Sequence, residues 1–102
     1  MIAIYKEPGA RPVIIDIDNT LEALQAAVGG YIETLTLCTD RVVICNEEGR
    51  INDMAYNCNI CGAMLFGPIL LVGADGADFA DLKQPERVVE LVFGRSVDLV
   101  TN

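Results

Sequence analysis

Any chemistry in this chain must rest on carboxylates, amides, phenols, amines or thiols, because the sequence contains no histidine. That removes the commonest general base, the Ser-His and Cys-His nucleophile pairs and the commonest metal ligand. The densest polar set lies in two stretches, Val28-Gly29-Gly30-Tyr31-Ile32-Glu33 and Asn46-Glu47-Glu48-Gly49. Side chains alternate along a strand, so Tyr31, Glu33, Leu35 and Leu37 share one face, and the leucines mark it as buried. A tight turn at Thr39-Asp40 would pair Leu37 with Val42, Leu35 with Ile44, Glu33 with Asn46 and Tyr31 with Glu48. A phenol, an amide and two carboxylates would then line one end of a hairpin. Two carboxylates there could act as an acid/base pair. A phenol beside an amide and a carboxylate is better suited to stacking on a planar ligand and hydrogen-bonding its edge. A Glu33 carried inward needs a partner, and the purely structural account is that Asn46, main-chain N–H groups or an arginine supply it. On this expectation Glu33→Ala destabilises the fold or abolishes ligand binding, while Glu48→Ala does little to stability.

Two further patterns carry possible chemistry. Val13-Ile14-Ile15-Asp16-Ile17-Asp18-Asn19-Thr20-Leu21 resembles the nucleophile motif of haloacid-dehalogenase-type phosphatases, in which Asp16 would attack a phosphoryl group, Asp18 would act as acid/base and both would bind Mg²⁺. The chain is short for that fold, no lysine lies between this motif and the later Ile69 to Asp78 stretch, and the same residues read as a strand end running into a helix cap. Cys58-x-x-Cys61, with Cys38 and Cys45, could suggest a four-thiolate zinc site. In the expected hairpin Cys45 sits opposite Thr34, and Cys38 lies about 13 Å along the strand from it, too far to share one ion. Cys38 and Cys45 then read as small core residues, and Cys58 and Cys61 as an exposed or half-buried pair. No metal and no cofactor is expected.

The elements that must position these groups follow from apolar periodicity and turn residues. Ile2 to Tyr5 and Val13 to Ile17 read as strands. Asn19, with Glu22 three residues on, reads as a capping box for a helix over 20–28 that buries Leu21, Leu24 and Val28 and stops at Gly29-Gly30. Tyr31 to Leu37 and Arg41 to Cys45 form the hairpin. Residues 46–66 read as irregular, with one short helical turn. Ile69 to Val72 is an apolar strand, Gly73 to Gly76 a turn, and Pro85 opens a last helix to about 93 with a stripe of Val88, Val89, Leu91 and Val92. Residues 97–102 read as a short edge strand or a tail. The expected architecture is a single α+β domain over 1–102, with a mixed or antiparallel sheet of four to five strands and two helices packed on it.

Composition narrows the function classes. At 102 residues and 52% hydrophobic content the chain suits one folded domain. The net charge of −8 argues against general nucleic-acid binding and against anionic membranes. No apolar run is long enough for a membrane helix, and the first residues lack the basic start and long apolar core of a signal peptide. A cytoplasmic protein is expected.

Leu21-Glu22-x-Leu24-Gln25-x-x-Val28-Gly29-Gly30-Tyr31-Ile32-Glu33, then Asn46-Glu47-Glu48-Gly49, Asn57, an aliphatic strand and Asp78-Phe79 resemble a small domain family of unknown function common in phages and mobile elements of bacteria. The resemblance covers most of residues 1–93. A basic residue often follows the Asn57 position in that pattern, where this chain has Cys58. The resemblance implies a genetic context, which for a phage-encoded chain is the host cytoplasm. With it, the residues point to a non-enzymatic accessory protein of anti-defence type. It would sequester a small host signal of nucleotide class, acting as a small homo-oligomer. Tyr31, Glu33, Asn46, Glu48 and Asn57 are the expected ligand-binding residues, with Arg41, Arg50 or Arg11 available for phosphates. The alternative is an acidic protein–protein module that inhibits a host factor, and the remote alternative is the phosphatase.

Overall fold

The computed structural model describes residues 1–94 and the backbone of residues 98 and 99. The fold is α+β. Its elements are β1 (Ile2–Lys6), β2 (Val13–Asp16), α1 (Leu21–Val28), β3 (Ile32–Cys38), β4 (Arg41–Asn46), β5 (Tyr56–Ile60), β6 (Ala63–Phe66), β7 (Ile69–Asp75), β8 (Asp78–Ala80), α2 (Pro85–Phe93) and β9 (Asp98–Leu99). The main sheet has seven strands in the order β3-β4-β7-β1-β2-β9, with β8 paired to β7, and β5-β6 form a separate two-stranded sheet. All pairings are antiparallel except β2 with β9. The end of the expected 97–102 segment falls outside the described residues, apart from that short pairing.

The main sheet therefore exceeds the four to five strands expected, and a second sheet stands beside it, for two local reasons. Gly73 continues β7 instead of starting a turn. A Cβ there would lie 2.3 Å from the Asp81 carbonyl oxygen, so glycine serves a close main-chain approach inside the strand. The reversal comes at Gly76, where φ is +62°. The stretch expected to be irregular does carry a helix-like turn, Asn52 N–H donating to Glu48 C=O at 2.8 Å, but its second half is the β5–β6 hairpin. Cys61 and Gly62 form that turn with φ of +50° and +86°. Both central residues thus have the positive φ of a type I′ turn. The Asn59 side chain accepts from Gly62 N–H at 3.0 Å. Asn-Gly and Asp-Gly advertise such a turn; Cys-Gly does not.

Two cores lie on the two faces of the main sheet. Leu24 and Val28 of α1 pack with Ala3, Val42, Ile44, Leu70 and Val72 on one. On the other, Ile4, Val43, Cys45, Ile69 and Leu71 pack under both α2, through Val88 and Val89, and the β5–β6 hairpin, through Ile60 and Leu65. Helix α1 is capped one residue later than expected. Thr20, not Asn19, accepts from Ala23 N–H at 3.2 Å, while Asn19 donates to Phe79 C=O. Gly29 ends the helix at φ +81°. Leu21 and Leu91 are exposed. Leu91 sits roughly 100° around the helix from the centre of the Val88-Val89-Val92 stripe. Among the described residues no helix is long and apolar enough to cross a membrane.

Candidate functional site

Strand β3 is an edge of the main sheet, and its register decides what it presents. The two-residue turn at Thr39-Asp40 pairs Cys38 with Arg41 as expected, but a bulge between Thr36 and Cys38 shifts every pair beyond it by one residue. Leu35 therefore faces Val43, Glu33 faces Cys45, and Ile32 faces Asn46. The expected Glu33–Asn46 and Tyr31–Glu48 pairs do not form. An unflagged bulge is enough to undo a register derived from strict alternation.

The consequence is that Glu33 and Asn46 turn to opposite faces. Asn46 is buried on the α1 side. It donates to Val28 C=O at 3.1 Å and accepts from Glu48 N–H at 2.8 Å, tying the helix end to the turn after β4. Gly30 makes room for it, since a Cβ there would meet the Asn46 amide nitrogen at 2.8 Å. Glu33 is on the other face and exposed. Its carboxylate meets no hydrogen-bond or ion-pair partner among the described residues.

A cleft of about 450 Å³ opens beside Glu33, between the β3 edge and the β5–β6 hairpin. Glu33, Thr34 and Leu35 form one wall, Arg50, Met64 and Phe66 the other, with Cys45 and Leu65 between them. Arg50 lies over the Phe66 ring, 4.9 Å from its centroid, and donates to Met64 Sδ at 3.8 Å. Tyr56 packs edge-on against Phe66, with centroids 5.7 Å apart and planes at 74°. The guanidinium is thereby held on an aromatic platform, without a carboxylate partner among the described residues. Gly49 brings the turn against β6, where a Cβ would stand 2.7 Å from Phe66 O.

Thr34 contributes differently. Tyr31 C=O accepts from Glu47 N–H at 2.9 Å, and Glu33 faces Cys45. Paired and unpaired positions alternate along an antiparallel ladder. Tyr31, Glu33 and Leu35 therefore direct their main-chain groups at β4, and Thr34 directs its N–H and C=O away, at the open edge. The cleft thus offers the Glu33 carboxylate and an open main-chain donor and acceptor on one wall and a guanidinium over an aromatic ring on the other, with Glu47 also lining it.

Of the eight expected site residues, the structure brings Glu33, Asn46 and Arg50 to this cleft, with the Asn46 amide committed elsewhere. Asn57 is buried. It is the extra residue of a bulge in β5, donates to Lys6 C=O and Gly67 C=O at 2.8 Å each, and accepts from the Lys6 ammonium at 2.8 Å. It is a structural clamp. Tyr31 and Glu48 are exposed and do not line the cleft. Arg41 lies at the opposite end of β4, about 17 Å along the strand, and the exposed Arg11 is not among the lining residues. Met64 and Phe66 line the cleft but are not among the residues that the sequence singles out. Their signal, a Cys-Gly turn followed by Ala63-Met64-Leu65-Phe66, is legible once that turn is read as a hairpin.

The four thiols are scattered over the fold, two exposed, one half-buried and one buried. All four are free, and among the described residues no group of three or more His, Cys, Asp or Glu side chains could hold an ion. Burial, and then the Glu33 charge, push the Cys45 thiol up, and its S–H points to Glu33 C=O at 3.7 Å. Burial also raises Cys58, against a smaller lowering by Lys6. Cys38 is exposed, not a core residue. In the phosphatase-like stretch Asp16 ion-pairs with the Met1 amino group at 2.7 Å and Thr20 caps α1.

Over residues 1–92 the chain matches the family model described as Domain of unknown function (DUF3846), and it belongs to that family. No curated protein and no solved structure matches it.

Proposed function

We propose that this family member binds and sequesters a small ligand of nucleotide class in the cleft between β3 and the β5–β6 hairpin, without turning it over. The observation that carries the reading is a Glu33 carboxylate and an Arg50 guanidinium that line the same cleft, neither with an ion-pair partner among the described residues. Both groups are exposed, so a ligand entering the cleft can reach them without displacing a protein contact. The cleft falls within the roughly 300–1,000 Å³ typical of small-molecule sites. Arg50 suits a phosphate, and the apolar flanks Leu35, Met64 and Phe66 suit a base or sugar. Sequestration in place of catalysis is supported by a lining that offers no histidine and no second carboxylate held against Glu33 by a hydrogen bond. Within this reading the chain serves a phage or mobile element by removing a host signal.

A thermal-shift panel of linear and cyclic nucleotides tests it. One or more should raise the unfolding midpoint, more strongly at low salt, and Arg50→Ala should abolish the rise. A flat panel would sink the reading. The second reading, an acidic module that blocks a host factor, is favoured by one observation: the open β3 edge flanked by Glu33 and Glu47 could accept a strand from another protein. A host protein co-purifying with the chain, together with a flat panel, would favour it.

A further inference from the structure

Resting on that nucleotide reading, we infer that the cleft recognises a guanine base, with Glu33 and the Thr34 main chain reading its edge and Arg50 holding the phosphate. An ionised carboxylate only accepts hydrogen bonds. Beside a base edge it favours two adjacent donors, and guanine presents them as N1–H and the exocyclic N2 amino group. Adenine presents its N1 lone pair to the same oxygens, and cytosine and uracil each present at most one donor next to acceptors. The open Thr34 N–H, one residue along from Glu33 at the strand edge, is the donor that guanine O6 needs. The two contacts therefore match the acceptor–donor–donor order of the guanine edge. Across the cleft Arg50 stacks on Phe66, which leaves guanidinium N–H groups in its plane for phosphate oxygens. Base and phosphate thus bind at opposite walls.

The test is isothermal titration calorimetry of the whole chain with GMP, IMP, AMP, CMP and UMP. GMP should bind tightest. IMP, which lacks the N2 amino group, should bind about tenfold more weakly, and AMP at least thirtyfold more weakly, since adenine sets its N1 lone pair against the Glu33 oxygens and its amino group against the Thr34 N–H. Glu33→Gln, whose amide presents a donor as well as an acceptor, should lose the preference for GMP over AMP while keeping the unliganded unfolding midpoint. Arg50→Ala should weaken all five alike. Equal affinity for AMP and GMP, or unchanged GMP binding by Glu33→Gln, overturns the guanine assignment while leaving nucleotide binding in place. Failure of all five to bind overturns both.

Discussion

Asn57 holds two carbonyls and an ammonium at once, and it makes a sharp prediction at the scale of single residues. Asn57→Ala strands the buried Lys6 ammonium with only Glu7 C=O, at 3.4 Å. It should cost about 3–5 kcal/mol in denaturant unfolding, and Lys6→Met in the same background should recover part of that. Asn46→Ala loses one buried and one part-buried hydrogen bond and should cost about 2–3 kcal/mol. Glu33→Ala should leave stability within about 0.5 kcal/mol, because its carboxylate is exposed and touches no partner among the described residues. That reverses what strict strand alternation implies for Glu33. Its face was legible from Leu35 and Leu37, but its exposure depends on the hairpin covering only part of that face. Tyr5 supplies a pH test. Burial, its hydrogen bond to Glu7 and the Glu7 charge push its phenol up to about 12 from 10.0. Its contribution is therefore intact below pH 10, where the unfolded chain begins to ionise, and is lost as pH rises toward 12. The wild-type midpoint should fall more steeply over that window than that of Tyr5→Phe, and one tyrosine should resist ionisation in an ultraviolet titration. Parallel midpoint curves would contradict this.

Among the elements, the β5–β6 hairpin decides whether there is a cleft at all, since it supplies Met64 and Phe66 and braces Arg50. Its turn places Cys61 at φ +50°, a conformation in which asparagine is less strained. Cys61→Asn should stabilise the protein by a few tenths to about 1 kcal/mol, read as a raised unfolding midpoint; a lowered one would contradict the turn assignment. Gly73→Ala should destabilise by at least about 2 kcal/mol, because its new methyl meets Asp81 main chain and not a yielding side chain. These positions also explain what the sequence could and could not reveal. Both helices and the strands β1 to β4 were readable from capping residues, glycine stops and runs of branched residues. The β3 bulge was not, because no residue in Thr36-Leu37-Cys38 announces it, and it alone moved Asn46 from beside Glu33 to the opposite face. The hairpin was missed because Cys-Gly lacks the composition of a strong turn.

At the scale of the whole molecule, two apolar cores on either face of one sheet fix the position of β3, which forms one edge of that sheet. On the proposed reading the net charge of −8 would slow the approach of a phosphate ligand, and Arg50 would have to overcome that field locally. A ligand that binds only the folded chain stabilises it by about 2.7 kcal/mol at a hundredfold excess over Kd, so binding should be visible in unfolding as well as in heat. The most direct test of the central claim is calorimetric titration of guanine nucleotide into wild-type protein, Glu33→Gln and Arg50→Ala. The account predicts saturable binding by the wild type, a loss of at least tenfold in each variant, and unliganded unfolding midpoints that match. No saturable heat in the wild type, or variants that bind as well as it does, would contradict the assignment of this cleft as the ligand site.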